Sequence, residues 1–389
     1  MSEIEVSFVL PCLDEAETLA ACIAEARRCI DAHGLSAEII VADNGSRDGS
    51  PAIAAQAGAR VVTVLQRGYG AALIAGFEAA RGRLLVMGDA DGSYDFTESF
   101  SMIERLRGGA DLVMGSRFLG RIEPGAMPWL HRRIGNPILS WIGRSLFRTP
   151  ISDFHCGLRA LTRDAFRQLG LRTAGMEFAS ELVVKAAAFG LRVEEVPITL
   201  RRDGRSHPPH LRTWRDGWRH LRFMMVLSPR WTLFLPGLLF VTGAGALLAR
   251  LSLGPWDLGF GVLDIHTMQI ASLVTIVGYQ AVTTAIAARI FAVSEDIGPP
   301  APWMQRAFDI FTLERGLLAG FGLMLVGSVL ILSAVLEWAA ADFGPLVPSL
   351  TMRPVLSGAT LVALGAQTVF MSFLYSMLGI TRRRDPPTS

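Results

Sequence analysis

The stretch Leu84-Leu85-Val86-Met87-Gly88-Asp89-Ala90-Asp91-Gly92 decides the fold. An apolar run of strand length ends in a glycine and then two carboxylates two positions apart. A continuous apolar run without polar alternation predicts a strand covered on both faces, as in parallel sheets. Upstream the same rhythm repeats. Strands are expected at Val6–Leu10, Glu38–Ala42 and Arg60–Leu65, with Leu84–Gly88 as the fourth. Helices are expected between them at Ala16–Ile30, Ser50–Ala57 and Tyr69–Ala80. That βαβαβαβ order predicts an α/β domain with a mainly parallel sheet, whose ligands bind beyond the carboxyl ends of the strands.

The loops at those ends hold the residues with chemistry. Pro11-Cys12-Leu13-Asp14-Glu15 follows the first strand, and Asp43-Asn44-Gly45-Ser46-Arg47-Asp48-Gly49-Ser50 the second. Asp89-Ala90-Asp91-Gly92 follows the fourth. Each Asp taken singly suits a helix N-cap or a turn. Carboxylates at three equivalent strand ends point instead to something bound there. Two carboxylates at i and i+2 can share one hard divalent cation, and a nucleotide diphosphate can supply further oxygens. Gly68-Tyr69-Gly70-Ala71-Ala72-Leu73 opens like a dinucleotide fingerprint, but Leu73 stands where the third glycine belongs. The first strand ends in Pro11 and two acids, which argues against a nicotinamide or flavin enzyme. Gly68 and Gly70 are expected to form a tight turn close to a nucleotide.

Working outward, composition separates two halves. The 389 residues are 51% hydrophobic and only 19% charged, where ordinary soluble domains carry roughly 25%. This excludes a disordered chain, and the net charge of +2 excludes a strongly basic nucleic-acid binder. From Arg230 onward there are nine basic and nine acidic residues, so the first 229 residues have the composition of an ordinary domain. The remainder has charge-free stretches at 231–249, 265–288, 316–336 and 354–381. Crossing the hydrocarbon takes roughly 20 apolar residues, so four transmembrane helices in two hairpins are expected, at about 231–249, 265–288, 316–336 and 355–378.

Arg289, Arg306 and Arg315 flank the middle loop, and Arg382-Arg383-Arg384 follow the last span. The positive-inside rule then places the N-terminal domain, middle loop and C-terminus in the cytoplasm. Met1–Val6 is polar and leads straight into a strand, so no cleavable signal peptide is expected. Cys12, Cys22, Cys29 and Cys156 show no metal spacing and are expected to stay reduced. The expected layout is a domain over 1–210, an amphipathic helix over 211–229, a membrane domain over 230–381 and a basic tail over 382–389. In the joint, Arg212, Arg215, Arg219 and Arg222 fall on one helical stripe, with Trp214, Trp218, Leu221 and Met225 on a neighbouring one. A basic stripe beside a Trp-bearing one suits a helix in the headgroup layer, although a solvated charged face is the alternative. Phe118–Phe147, with Trp129, Leu130, Ile134, Trp141 and Leu146, is a candidate second lipid contact.

The motif series resembles family 2 glycosyltransferases. It consists of Pro11-x-x-Asp14-Glu15, Asp43-Asn44-Gly45-Ser46-x-Asp48-Gly49-Ser50, the Gly68-Tyr69-Gly70 turn and Asp89-Ala90-Asp91-Gly92. Gly115-Ser116-Arg117 and Asp153-x-x-Cys156-Gly157-Leu158-Arg159 narrow the resemblance to the polyprenyl-phosphate sugar synthases, the dolichol-phosphate mannose and glucose synthase group. The resemblance covers about residues 4–210. It implies a GT-A fold, a nucleotide-sugar donor, Mg²⁺ or Mn²⁺, and inverting transfer to a polyprenyl phosphate. On it, Pro11, Asp14 and Glu15 frame the nucleotide, Asp43 faces the base or ribose, and Asn44, Ser46, Gly68 and Gly70 complete the donor site. Asp89 and Asp91 hold the metal on the diphosphate. Ser93 stands where the mannose synthases commonly carry Gln, which leaves a third ligand to Ser93 or to water. Arg117, Arg132, Arg133, Arg201, Arg202 and Ser206 match residues that grip the acceptor phosphate. The Arg201-x-x-Gly204-x-Ser206 loop fits the group's pattern, whereas His207-Pro208-Pro209 departs from it.

The chemistry has its own logic. An anionic lipid phosphate must approach an anionic diphosphate, and arginine offsets that repulsion by planar bidentate pairing. A metal stabilises the leaving nucleotide. The acceptor oxygen is already ionised, so Asp153 is read as an orienter or an optional base. His155 is read as a packed side chain, and Glu181 as either a first-turn carboxylate or a substrate contact. The donor stays open between UDP-glucose and GDP-mannose, and so does a homo-oligomer. Two alternatives stand beside this reading: a glycosyltransferase with a different lipid acceptor, and an inactive nucleotide-sugar-binding membrane scaffold.

Overall fold

The computed structural model describes residues 3–206, 213–295, 297–299 and 312–379. His207–Pro209, Arg212, Arg306 and the 382–389 tail, all used above, lie outside the described residues. The chain divides into two compact units, Met1–Leu227 and Ser228–Ser389.

The first unit is built on strands β1 (Val6–Cys12), β2 (Ala37–Asp43), β3 (Arg60–Thr63), β4 (Leu84–Met87), β5 (Leu112–Ile122), β6 (Arg159–Thr162) and β7 (Val193–Leu200). Its helices are α1 (Leu19–His33), α2 (Ser50–Gln56), α3 (Tyr69–Ala79), α4 (Ser99–Arg107), α5 (Asn136–Phe147), α6 (Arg163–Leu169), α7 (Phe178–Ala188) and α8 (Thr213–Val226). The strands form one sheet in the order β3-β2-β1-β4-β6-β5-β7. All neighbours run parallel except β6, which is antiparallel to both β4 and β5.

Successive side chains of β1 point to opposite faces. Val6, Phe8 and Leu10 pack with Leu19 and Ile23 of α1 and Met102 and Ile103 of α4. Val9 packs on the other face with Leu73 and Phe77 of α3 and Phe178 and Leu182 of α7. This two-sided burial is why the strands read as unbroken apolar runs.

Helix α1 starts at Leu19, later than the periodicity predicts. The chain before it is held by the neighbouring loop: the Glu15 amide donates to Ser50 Oγ at 3.0 Å and the Ala16 amide to Asp48 Oδ2 at 2.8 Å. Asp14 takes a left-handed φ of 58° there, a conformation that Asp tolerates better than most residues. All four cysteines are buried and free. Helix α8 carries Trp214 and Trp218 on its exposed side, 82% and 56% accessible.

Among the described residues the second unit contains four helices long and apolar enough to cross a membrane: Arg230–Ser252, Ile265–Ser294, Leu313–Ala340 and Pro348–Leu378. Each extends beyond the charge-free core of its expected span. The third and fourth meet through glycines, where a Cβ on Gly327 would stand 2.5 Å from the Gly358 carbonyl oxygen. Small residues of this kind let membrane helices approach closely. Polar contacts also join the helices, with Ser272 to Thr360 and Tyr279 to Thr368 both at 2.6 Å. Arg353, near the start of the fourth of these helices, is buried and pairs with Asp264 and the Leu251 carbonyl.

Candidate active site

Parallel strands place their carboxyl ends on one edge, and the chain order reverses direction between β1 and β4. A crevice at such a switch point is the usual ligand site of an open α/β sheet. The loops after β1, β2 and β4 meet there. Asp14 and Ser46 brace two of them, with the Asp14 amide donating to Ser46 Oγ at 2.9 Å and the Arg47 amide to Asp14 Oδ1 at 2.7 Å. Asp43 turns back on its own loop and accepts from the Gly45 amide at 3.1 Å and the Ser46 amide at 3.3 Å. Asn44 Oδ1 accepts from the Gly68 amide at 2.7 Å, which ties the β2 loop to the Gly68-Tyr69-Gly70 turn.

The two glycines of that turn owe their presence to protein packing. A Cβ on Gly68 would stand 2.1 Å from the Ala174 carbonyl oxygen, and one on Gly70 2.1 Å from that of Thr173. The segment 173–175 therefore packs directly on both glycines.

Asp89 and Asp91 share the turn after β4. Asp89 accepts from the Tyr69 hydroxyl at 2.9 Å. Burial, and after it the neighbouring Asp91, push the Asp89 carboxyl up to about 6. Asp91 accepts from the Ser93 amide at 2.9 Å and pairs with the Arg205 guanidinium. Ser93 thus reaches Asp91 through its backbone. Two hard-oxygen groups, Asp91 buried and paired with a cation and Asp89 half-buried and resisting ionisation, form a site that favours added positive charge. They fit a divalent ion in their donor chemistry. Among the described residues no group of three or more His, Cys, Asp or Glu is arranged to hold a metal, so the remaining ligands would come from a bound diphosphate and water.

Strand β6 gives the site its second wall. Because β6 runs antiparallel, the segment before it lies at the same sheet edge, with Arg159 opposite Met87. A Cβ on Gly157 would come within 2.4 Å of Asp89 Oδ2. Arg159, fully buried, donates to the carbonyls of Cys156 at 2.7 Å, Ala179 at 2.8 Å and Phe154 at 3.0 Å, which fixes this wall.

In the same wall Asp153 meets Arg117. Arg117 sits where the β5–β7 register shifts, an irregularity that re-aims side chains. Its Nε and Nη2 donate to the two oxygens of Asp153 at 2.6 and 2.7 Å, and its amide adds a third bond at 3.1 Å. Burial pulls the Arg117 guanidinium down, but the Asp153 carboxylate outweighs it and holds the pKa above the ordinary value. Asp153 is completely buried, with both oxygens on Arg117, an arrangement that orients the guanidinium.

The arginines matched to an acceptor phosphate are dispersed. Arg132 and Arg133 are exposed on the turn His131–Gly135 ahead of α5. Arg201 pairs with Glu25 at 2.7 Å and with Asp95, inside the domain. Arg202 Nε donates to the Pro124 carbonyl at 2.6 Å. The Ser206 amide and hydroxyl both bond Glu17, at 2.7 and 2.5 Å. Arg205, which the sequence reading passed over, is the residue of this loop that reaches the carboxylates. The available signal was a cation inside the Arg201-x-x-Gly204-x-Ser206 spacing.

Glu181 accepts from the amides of Arg172 and Thr173, the latter at 2.9 Å, and pairs with Lys185 at 2.8 Å. It holds the loop that packs on Gly68 and Gly70, and the chain's single lysine is its buried partner. His155 packs edge-on against His220 with ring centroids 4.4 Å apart. Both His155 nitrogens are buried without a hydrogen-bond partner. Burial depresses both rings, His220 to about 4 and His155 well below its ordinary value. A depressed folded-state pKa means that the unfolded chain binds the proton first. The neutral pair therefore stabilises the fold above pH ~6.5, and that stability drains as pH falls from there towards 4. For His220 alone this amounts to about 3 kcal/mol. Unfolding midpoints of the full chain between pH ~7.5 and ~4.5 should show it, and His220→Gln should flatten the acid limb.

The comparisons with known proteins agree with this architecture. Residues 7–170 match the glycosyl transferase family 2 model, and residues 286–379 match the glycosyltransferase family 2 C-terminal transmembrane region. The chain is 36% identical over 379 residues to the low-salt glycan biosynthesis hexosyltransferase Agl6 of Haloferax volcanii, covering 96% of this chain and 89% of that one. It is 28% identical to a dolichyl-phosphate hexose transferase of the same organism, over 51% of this chain and 83% of that one. Glucosyl-3-phosphoglycerate synthase from Mycobacterium tuberculosis, solved with Mn²⁺, UDP and glucosyl-3-phosphoglycerate, aligns at 21% identity with a TM-score of 0.45, over 57% of this chain and 78% of that one. The chain belongs to the family 2 glycosyltransferases, with a mainly parallel α/β domain followed, among the described residues, by four candidate transmembrane helices.

Proposed function

We propose that the enzyme moves a hexose from a nucleotide diphosphate sugar, UDP-glucose or GDP-mannose, to a polyprenyl phosphate with inversion. The observation that carries the donor side is the Asp89–Asp91 pair at the β1/β4 switch point with a cation already on Asp91. There Mg²⁺ or Mn²⁺ would stabilise charge on the leaving nucleotide. Asp14, Glu15, Asp43, Asn44 and Ser46 would line the donor crevice. Asp153 would aim Arg117 at the acceptor phosphate, with Arg132 and Arg133 as outer contacts. Arg201, Arg202 and Ser206 would act by shaping the loop that bounds the crevice. An ionised phosphate oxygen attacks the anomeric carbon, the bond to the nucleotide diphosphate breaks, and no general base is required.

The dolichyl-phosphate hexose transferase supports the acceptor class. So does the outer face of the first unit, where Trp129, Trp141, Trp214 and Trp218 are exposed alongside arginines on α5 and α8. Such a face suits the headgroup layer, where the acceptor presents its phosphate. Arg289 and Arg315 at the middle loop support a cytoplasmic catalytic domain. The test is the purified full chain with Mg²⁺ or Mn²⁺, labelled UDP-glucose or GDP-mannose, and a polyprenyl phosphate. A labelled lipid cleaved by mild acid is expected. A labelled lipid resistant to mild acid would favour a glycerolipid acceptor, and no labelled lipid from any common donor would overturn the proposal.

A further inference from the structure

The loop after β7 is a strap across the crevice. Arg201 fastens one end through Glu25 and Asp95, and Ser206 fastens the other through Glu17. Between them the Gly204 amide donates to the Asp91 carbonyl at 2.9 Å. A Cβ on Gly204 would stand 2.9 Å from Thr18 Cγ2, so the strap lies close on the β1 loop. This geometry lays the Arg205 side chain, only 10% exposed, over the carboxylates. Its Nη1 donates to Glu15 Oε1 at 3.1 Å and its Nη2 to Asp91 Oδ2. Asp91 Oδ1 is taken by the Ser93 amide. Arg205 Nε is buried with no hydrogen-bond partner, and Asp203 Oδ2 stands 3.8 Å from it. The guanidinium therefore has one donor idle at a site lined by carboxylates.

A divalent ion arriving at Asp91 Oδ2 competes with the guanidinium already there, because two cations in contact with one oxygen repel each other. We infer that Arg205 is the resident counter-ion of this site and a diphosphate-binding residue, exchanging Asp91 for the donor's phosphate oxygens when the donor and its cation enter. The inference rests on the metal- and nucleotide-dependent reading above. An arginine released from a carboxylate beside a diphosphate gains the planar, bidentate pairing that phosphate offers, and its idle Nε gains an acceptor. The strap keeps its fastenings at Arg201 and Ser206, which do not involve Asp91, while the Gly204–Arg205 stretch between them shifts with the side chain. The consequence is coupling: the cation alone competes with Arg205, whereas cation and nucleotide together do not. Such couplings are typically about 5- to 150-fold, and they are reciprocal.

The experiment measures free Mn²⁺ by its paramagnetic resonance signal during titration of the detergent-solubilised full chain, with and without UDP. Arg205→Gln is expected to bind Mn²⁺ alone about tenfold more tightly than the wild type, and to lose most of the gain that UDP confers. Arg205→Lys, which keeps the charge without the planar fork, should fall between them. In the wild type, Mn²⁺ with UDP should alter amide hydrogen exchange at Gly204–Ser206, a measurement that needs no variant to fold. Equal or weaker Mn²⁺ binding by Arg205→Gln, or unchanged exchange at the strap while Mn²⁺ and UDP bind, overturns the inference and leaves the proposed activity standing. No Mn²⁺ binding by the wild type even with UDP overturns both.

Discussion

Asp91→Ala is expected to reduce hexose transfer by about 10³-fold or more, the rate equivalent of several kcal/mol of charge stabilisation. Asp91 is the carboxylate of the pair that holds a cation, through Arg205, and the Ser93 amide orients it. Without it, Asp89 is the remaining carboxylate of the motif. Burial and Tyr69 already surround Asp89, so it is poorly placed to hold the ion alone. The variant is expected to fold, because Asp91 takes no part in the apolar core of the domain. Initial rates with labelled donor, together with an unfolding midpoint to confirm the fold, decide it. A rate within about tenfold of the wild type would remove Asp91 from the chemistry.

The second large effect is on stability as well as on activity. Arg117→Gln strands the fully buried Asp153 carboxylate, which loses both guanidinium bonds and keeps only the amide bond from position 117. Breaking a buried pair by removing one partner costs about 3–5 kcal/mol, a large fraction of the roughly 5–15 kcal/mol that holds a domain together. Asp153→Asn should cost a similar amount. The double variant Arg117→Met/Asp153→Leu should be less destabilised than the sum of the singles, because neither charge is then left unpaired. Denaturant unfolding of the full chain measures all three. Loss below about 1 kcal/mol in the single variants would place this pair among exposed ion pairs of little consequence.

The candidate site was only partly legible in the sequence. The apolar runs of β1, β2 and β4 and the acids after them are local signals, because a strand buried on both faces must be apolar along its length. The membrane helices were legible for the same reason, since a span must satisfy its backbone within itself and face lipid with apolar side chains. Gly68 and Gly70, expected in a tight turn, stand at the N-terminus of α3, and the protein segment packed on them was not legible. The segment 173–175 that crowds them comes from a distant part of the chain.

What the sequence determined by itself was therefore the α/β order, the carboxylates gathered at the strand ends, and the four long apolar helices. What only the tertiary structure decided was which charges meet. Arg117 finds Asp153 across 36 positions, and Arg205 finds Asp91 across 114 and Glu15 across 190. The antiparallel β6 carries Gly157 against Asp89, and the strap after β7 carries Arg205 onto the carboxylates. The reason is physical. Backbone periodicity and burial are fixed by neighbours a few residues apart, whereas an ion pair depends on where two remote segments are placed by the packing of a whole sheet.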